Sequence, residues 1–211
     1  MSRYNDIAKR SFKSKWNLYL FEKFIAGTQQ NIHIDDFKKY IIKPEMVDNY
    51  TKDYWQNIKS NKMANEIHKW KKENYDCVRV LEKDYCDDFE NIFPINDFNN
   101  LIKEKECHYC HISLDALYIL FDNKQIRKKN TRGWELEIDR CDSNLEYTKD
   151  NCVMACYWCN NAKTDEFCET DFIDIGKEIR KIWEQRLLKI STNNSLTDNL
   201  LCHITEGSPL N

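Results

Sequence analysis

Glycine and proline are scarce in this chain, 4 and 3 among 211 residues, which excludes collagen-like, linker-like and low-complexity architectures. No apolar run approaches the roughly 18–20 residues that span a bilayer, the richest stretches being 16–21 and 116–121. Residues 1–10 read MSRYNDIAKR and hold no apolar stretch of the kind that directs secretion. A reducing cytoplasm is therefore the expected compartment, with no membrane partner. Basic excess is missing too, since 32 Lys+Arg stand against 35 Asp+Glu for a net charge of −3. That counts against a wholly cationic nucleic-acid binder, although a local excess is enough to hold phosphate.

What the chain does have is cysteine, 10 in all. In a reducing compartment these call for metal binding, catalysis or burial before disulfides. Charge is also uneven. The run Lys124 to Arg132 (KQIRKKNTR) carries five cations and no acid, with Lys124, Arg127, Lys128, Lys129 and Arg132 as candidate phosphate contacts, and His68 to Lys72 (HKWKK) forms a second basic cluster.

Apolar residues recur at helical spacing through 5–26, as in Ile7, Phe12, Trp16, Leu20 and Phe24, up to a stop signal at Gly27. Helices are also expected over 35–42, 50–73 and 96–102, with breaks near Pro44 and Pro94. The tryptophans and tyrosines of this part read as core rather than as base-stacking platforms. After Lys105 the texture changes to cysteine pairs, short β-like runs and turns. A further helix over 171–190 carries an apolar stripe of Ile173, Ile175, Ile179, Ile182, Trp183 and Leu187, followed by a polar tail over 191–211. The fold class is α+β, divided into a helical module at 1–104, a chemistry-bearing core at 105–172, and a C-terminal helix and tail at 173–211.

Cys107-x-x-Cys110 and Cys156-x-x-Cys159 have the spacing that brings two thiolates to one zinc ion from a tight knuckle. Two such knuckles close a tetrahedral site and imply a structural ion; a thioredoxin-type redox pair is the competing reading of either alone. Cys77, Cys86, Cys141, Cys152, Cys168 and Cys202 lack such pairing and most of them read as small buried side chains, with a second site from Cys141, Cys152 and Cys168 as the alternative. Between the knuckles, 134–139 alternates strictly. It places Trp134, Leu136 and Ile138 on one face and Glu135, Glu137 and Asp139 on the other, a half-buried strand ending at Asp139. A polar turn, a second apolar run at 153–155, the second knuckle and a helix follow.

Cys107-x-x-Cys110, Ile138-Asp139-Arg140, Tyr147-Thr148-x-Asp150-Asn151 and Cys156-x-x-Cys159-Asn160-x-x-Lys163 together resemble the HNH, or ββα-metal, endonucleases. The resemblance is to the four-cysteine zinc branch, similar to rare-cutting HNH restriction endonucleases. It implies a zinc-stabilised ββα core in which Asp139 and Asn160 hold one catalytic Mg²⁺ or Mn²⁺, hydrolysing phosphodiester bonds of double-stranded DNA in restriction or defence. Specificity would come from a homodimer on a palindrome. Most members follow the metal aspartate with a histidine base, whereas this chain has Arg140, a permanent cation that can clamp phosphate or lower a neighbour's pKa. The resemblance then makes Tyr109 the leading candidate for the attacking group, with Tyr118 second and His111 as a conventional base. Asn151 is expected to orient an active-site group or cap a turn, Lys163 to face the DNA backbone, and Glu137 to be an extra ligand or an exposed strand carboxylate. Glu146 stands where many relatives have glycine. The rival readings are a non-catalytic zinc module that binds nucleic acid, and an RNA-cutting or toxin nuclease.

Overall fold

A computed structural model describes residues 2–28, 32, 34–42, 62–126 and 132–205. The chain folds as two compact units, residues 1–103 with 140–152, and residues 104–139 with 153–211. It is an α+β structure of helices and one small antiparallel two-stranded sheet.

The first unit is organised by α1 (Ser2–Ile25). Its buried face, including Ile7, Phe12, Trp16, Tyr19 and Leu20, follows the helical repeat read from the sequence. The helix ends in a Schellman turn: Gly27, at φ +65°, donates to the Phe24 carbonyl at 3.2 Å, and Thr28 donates to Lys23 at 2.8 Å. Glycine takes that left-handed conformation without a Cβ penalty. Around α1 stand α2 (Ile34–Lys39), α3 (Lys62–Glu73), α4 (Tyr75–Asp87) and α5 (Ile95–Leu101). Phe12, Trp16, Tyr19 and Phe37 pack ring on ring at centroid distances of 5.0 to 6.0 Å, which makes these aromatics core. The buried Lys15 reaches Glu146 at 3.1 Å.

Of the helix expected over 50–73, the part before Lys62 lies outside the described residues. Helix α4 was not anticipated. Its inward side chains Val78, Leu81 and Tyr85 recur at helical spacing, but the exposed Tyr75 and Val80 blur the stripe.

The second unit contains α6 (Leu114–Asp122), β1 (Glu137–Arg140), β2 (Cys152–Ala155), α7 (Tyr157–Lys163) and α8 (Glu169–Thr205), with the ends of the two strands running into residues 140–152 of the first. Helix α6 was also not expected, although Ser113 signals it by accepting the Ala116 N–H at 3.2 Å as N-cap. The strand is shorter than its alternation predicts. Leu136 and Ile138 are buried as expected, but Trp134 is 45% exposed and stacks on Phe121 at 3.8 Å instead of pairing. Helix α8 continues past 190 through the stretch read as a polar tail. Phe172, Trp183 and Ile190 carry its buried face, whereas Ile182 is exposed. Among the described residues no helix is long and apolar enough to cross a membrane.

Candidate metal centre and active site

Cys107, Cys110, Cys156 and Cys159 are all fully buried, and their sulfurs lie within 4.8 Å of one another. Two sulfurs bound to one zinc at about 2.3 Å in tetrahedral geometry stand about 3.8 Å apart. Cys110 Sγ and Cys156 Sγ are 3.7 Å apart, a separation that suits a shared ion and excludes a disulfide. Hydrogen bonds from the other three thiols, that of Cys110 first, pull the Cys107 thiol far down. The same clustering pushes Cys156 and Cys159 up. Four thiolates this close together call for a divalent ion among them. The donor set and spacing could hold zinc.

Local backbone geometry builds each knuckle. His111 at φ +54° donates its N–H to Cys107 O at 2.8 Å, while Cys107 N–H reaches Ile112 O at 3.0 Å. In the second knuckle Cys156 is the N-cap of α7 and its Sγ accepts the Cys159 N–H at 3.4 Å. The His108 N–H donates to Met154 O on β2 at 2.8 Å, and its ring pairs with Glu169 at the start of α8 at 2.6 Å.

Beside the sulfurs lies a buried polar cluster. Tyr109, inside the first knuckle and 1% exposed, donates its hydroxyl to Asp139 Oδ2 at 2.6 Å. The Lys163 ammonium lies 3.5 Å from the same oxygen, with side-chain exposures of 0% for Lys163 and 9% for Asp139. Asp139 thus lies in β1, one residue before its end, between a phenol and a buried ammonium. Lys163, expected to face the DNA backbone, is enclosed instead: it follows the buried Cys159 by one helical turn and shares its inward face. That spacing is the signal the sequence offered. Asn160 donates from Nδ2 to Glu137 Oε2 at 2.7 Å, and Arg132 grips the same Glu137 with two hydrogen bonds of 3.0 and 2.7 Å. The period of two puts Glu137 and Asp139 on one strand face, and Asn160 is bonded to the first of them.

The other candidates are placed as follows. Arg140 donates to Ser14 Oγ at 3.2 Å and Leu145 O at 2.9 Å, and its guanidinium covers the Tyr147 ring at 4.7 Å, all within the first unit. Asn151 ties the 140–152 turn together by donating to Asp142 O and Glu146 O at 3.0 and 2.9 Å and accepting the Asp142 N–H at 2.9 Å. His111 is exposed, and among the described residues its ring has no hydrogen-bond partner. Tyr118 is 45% exposed and donates to Trp134 O at 3.1 Å. Lys124 is exposed, Arg132 is committed to Glu137, and Arg127, Lys128 and Lys129 lie outside the described residues.

Comparison with known proteins found no matching family profile and no matching curated protein. A solved structure of the rare-cutting HNH restriction endonuclease PacI, described for its perturbation of DNA, is similar to this chain at 31% identity. The match covers 41% of this chain and 58% of that one, less than two thirds of its length, with a TM-score of 0.34.

Proposed function

We propose that this protein is a metal-dependent endonuclease that hydrolyses phosphodiester bonds of DNA in restriction or host defence. The observation that carries the reading is Asp139. A buried carboxyl group in β1 is held by Tyr109 and Lys163, next to a four-thiol cluster within the ββα arrangement its sequence motifs lead one to expect. Asp139 and Asn160 would hold Mg²⁺ or Mn²⁺, and oxygen donors of this kind suit such hard cations. When bound, that ion would supply charge stabilisation for the leaving oxygen of the phosphodiester. Zinc in the four-cysteine nest would fix where Asn160 stands, because Asn160 follows Cys159 directly and its N–H donates to Cys156 O at 2.9 Å. The Tyr109 hydroxyl donates to Asp139 Oδ2 and so orients that carboxyl group; were the phenol oxygen to attack, its proton would have to pass to a base other than the metal-holding Asp139. His111 and Tyr118 are the alternative groups for generating the nucleophile. A homodimer on a palindromic site would supply sequence specificity.

A non-catalytic zinc module that binds nucleic acid is the second reading, favoured by the engagement of Arg140 with Ser14, Leu145 and Tyr147. Purified zinc-loaded protein incubated with plasmid DNA, single strands and RNA, with Mg²⁺, Mn²⁺ or no added metal, separates the readings. Cleavage of duplex that depends on metal, abolished by Asp139→Ala and by Asn160→Ala with zinc content intact, is the expected result. Retained cutting in both variants overturns the metal assignment. Cleavage of RNA alone moves the protein to the RNA-cutting class, and no cleavage of any substrate selects the binding module.

A further inference from the structure

The helical first unit carries a surface that the site does not use. Along α1, Lys9, Arg10 and Lys13 are exposed, and Asn17 takes the next place on the same helical face. There Lys71, from the second basic cluster, donates its ammonium to Asn17 Oδ1 at 2.6 Å. Steps of four residues set Lys9, Lys13 and the Lys71 ammonium in a row with about 6 Å between places. Among the described residues none of these four cations lies within ion-pair distance of a carboxylate, although the chain as a whole is net negative. The exposed Asp6 lies a turn before the row and Glu22 beyond it.

Like charges are moreover held together here. Burial first, and then the charge of Lys13, pull the Lys71 ammonium below the ordinary lysine range. The Lys71 ammonium ends on a neutral amide rather than on a carboxylate. Folding that gathers unpaired cations against their repulsion leaves a surface best satisfied by an external polyanion.

We infer that Lys9, Arg10, Lys13 and Lys71 form a docking rail for the phosphate backbone of duplex DNA. The inference builds on the nuclease reading, deepening it with a contact surface on the helical unit. Duplex DNA presents one negative charge per about 1.7 Å of axis, so a row about 12 Å long faces several phosphates. The contact is to the backbone and carries no base information, so it would hold the substrate without selecting its sequence.

The test uses the full zinc-loaded chain without added Mg²⁺ or Mn²⁺ and a fluorescein-labelled duplex, with affinity read by anisotropy across a salt series. Each phosphate contact contributes about 0.9 to the slope of log K against log salt. The triple variant Lys9→Ala/Arg10→Ala/Lys13→Ala is expected to lower that slope by about 2 to 3 and to weaken binding about 100-fold at 0.1 M salt. Its thermal midpoint should be unchanged because all three side chains are exposed. A control variant, Lys177→Ala/Lys181→Ala, removes cations already paired with Asp174 and Glu178 and should leave the slope alone. An unchanged slope in the triple variant, with parent protein that binds and cuts DNA, overturns the rail and leaves the nuclease reading standing. Parent protein that neither binds nor cuts duplex overturns both. Binding to phosphatidylserine vesicles in preference to duplex assigns the row to a membrane surface and overturns the DNA rail.

Discussion

Replacing Gly176 by alanine sets two effects of opposite sign against each other. Gly176 lies inside α8, where alanine is favoured over glycine by about 1 kcal/mol in an exposed helix interior. At this position, however, an added Cβ would stand 2.6 Å from the carbonyl oxygen of Tyr109, 2.8 Å from its carbonyl carbon and 2.9 Å from its Cβ. Two of those atoms are backbone and cannot swing aside. One turn earlier on the same face Phe172 packs edge-on against the Tyr109 ring, with centroids 5.0 Å apart, so the helix cannot simply rock away. Overpacking of this kind costs about 1–3 kcal/mol, and three contacts under 3.0 Å place it in the upper part of that range. The clash therefore wins by about 1–2 kcal/mol net. For a chain of this length that lowers the thermal midpoint by about 2–8 °C. The displaced backbone is that of the first knuckle, so zinc should also be lost to a competing chelator at lower chelator concentration, and cleavage should fall with it. Thermal unfolding of the zinc-loaded variant beside the parent measures the first effect. A midpoint that rises, as helix propensity alone would have it, refutes the close approach of α8 to Tyr109.

Three other substitutions probe the same region. Tyr109→Phe keeps the ring on Phe172 and removes only the hydroxyl given to Asp139, a hydrogen bond to a charged group worth about 1.5–3 kcal/mol; zinc content should persist while plasmid cleavage fails. Normal cutting by that variant passes the task of attacking or of generating the nucleophile to Tyr118 or His111. Lys163→Met leaves Asp139 without its buried counter-charge and should destabilise the fold by about 3–5 kcal/mol in denaturant titration, an outcome contradicted by unchanged stability. Thr164, immediately after Lys163, sits at φ 55° and ψ −151°, a region nearly reserved for glycine. Thr164→Gly relieves about 1–3 kcal/mol of strain and loses the hydrogen bond from Glu166 N–H, about 1 kcal/mol, so a net gain of about 1 kcal/mol is expected in the same titration; a loss would show that the threonine contacts outweigh the strain.

Much of the candidate site could be read from the chain because its parts are local. A C-x-x-C knuckle is a matter of neighbouring residues, and two such pairs are the ligand set of one nest. Helix α1, its Gly27 stop, and the burial of Leu136 and Ile138 followed equally from period and turn chemistry. The misses have a common cause, which is competition that only distant packing resolves. Trp134 fits the alternating pattern of β1, yet Phe121 on α6 captures its ring. Asp139 lies on the polar face of that pattern, yet Tyr109 and Lys163 cover it. Arg140 reads as a neighbour of the candidate metal-holding aspartate, and its guanidinium is taken up by Ser14, 126 positions away in the chain.

Short-range regularities thus determined α1, the two cysteine knuckles and the alternation of β1, since spacing alone dictates which side chains share a knuckle or a face. The electrostatic setting of Asp139 was decided by tertiary structure. Helical spacing from Cys159 turns Lys163 inward, but its ammonium and the Tyr109 phenol are brought to the same oxygen only by packing α7 and the first knuckle against β1.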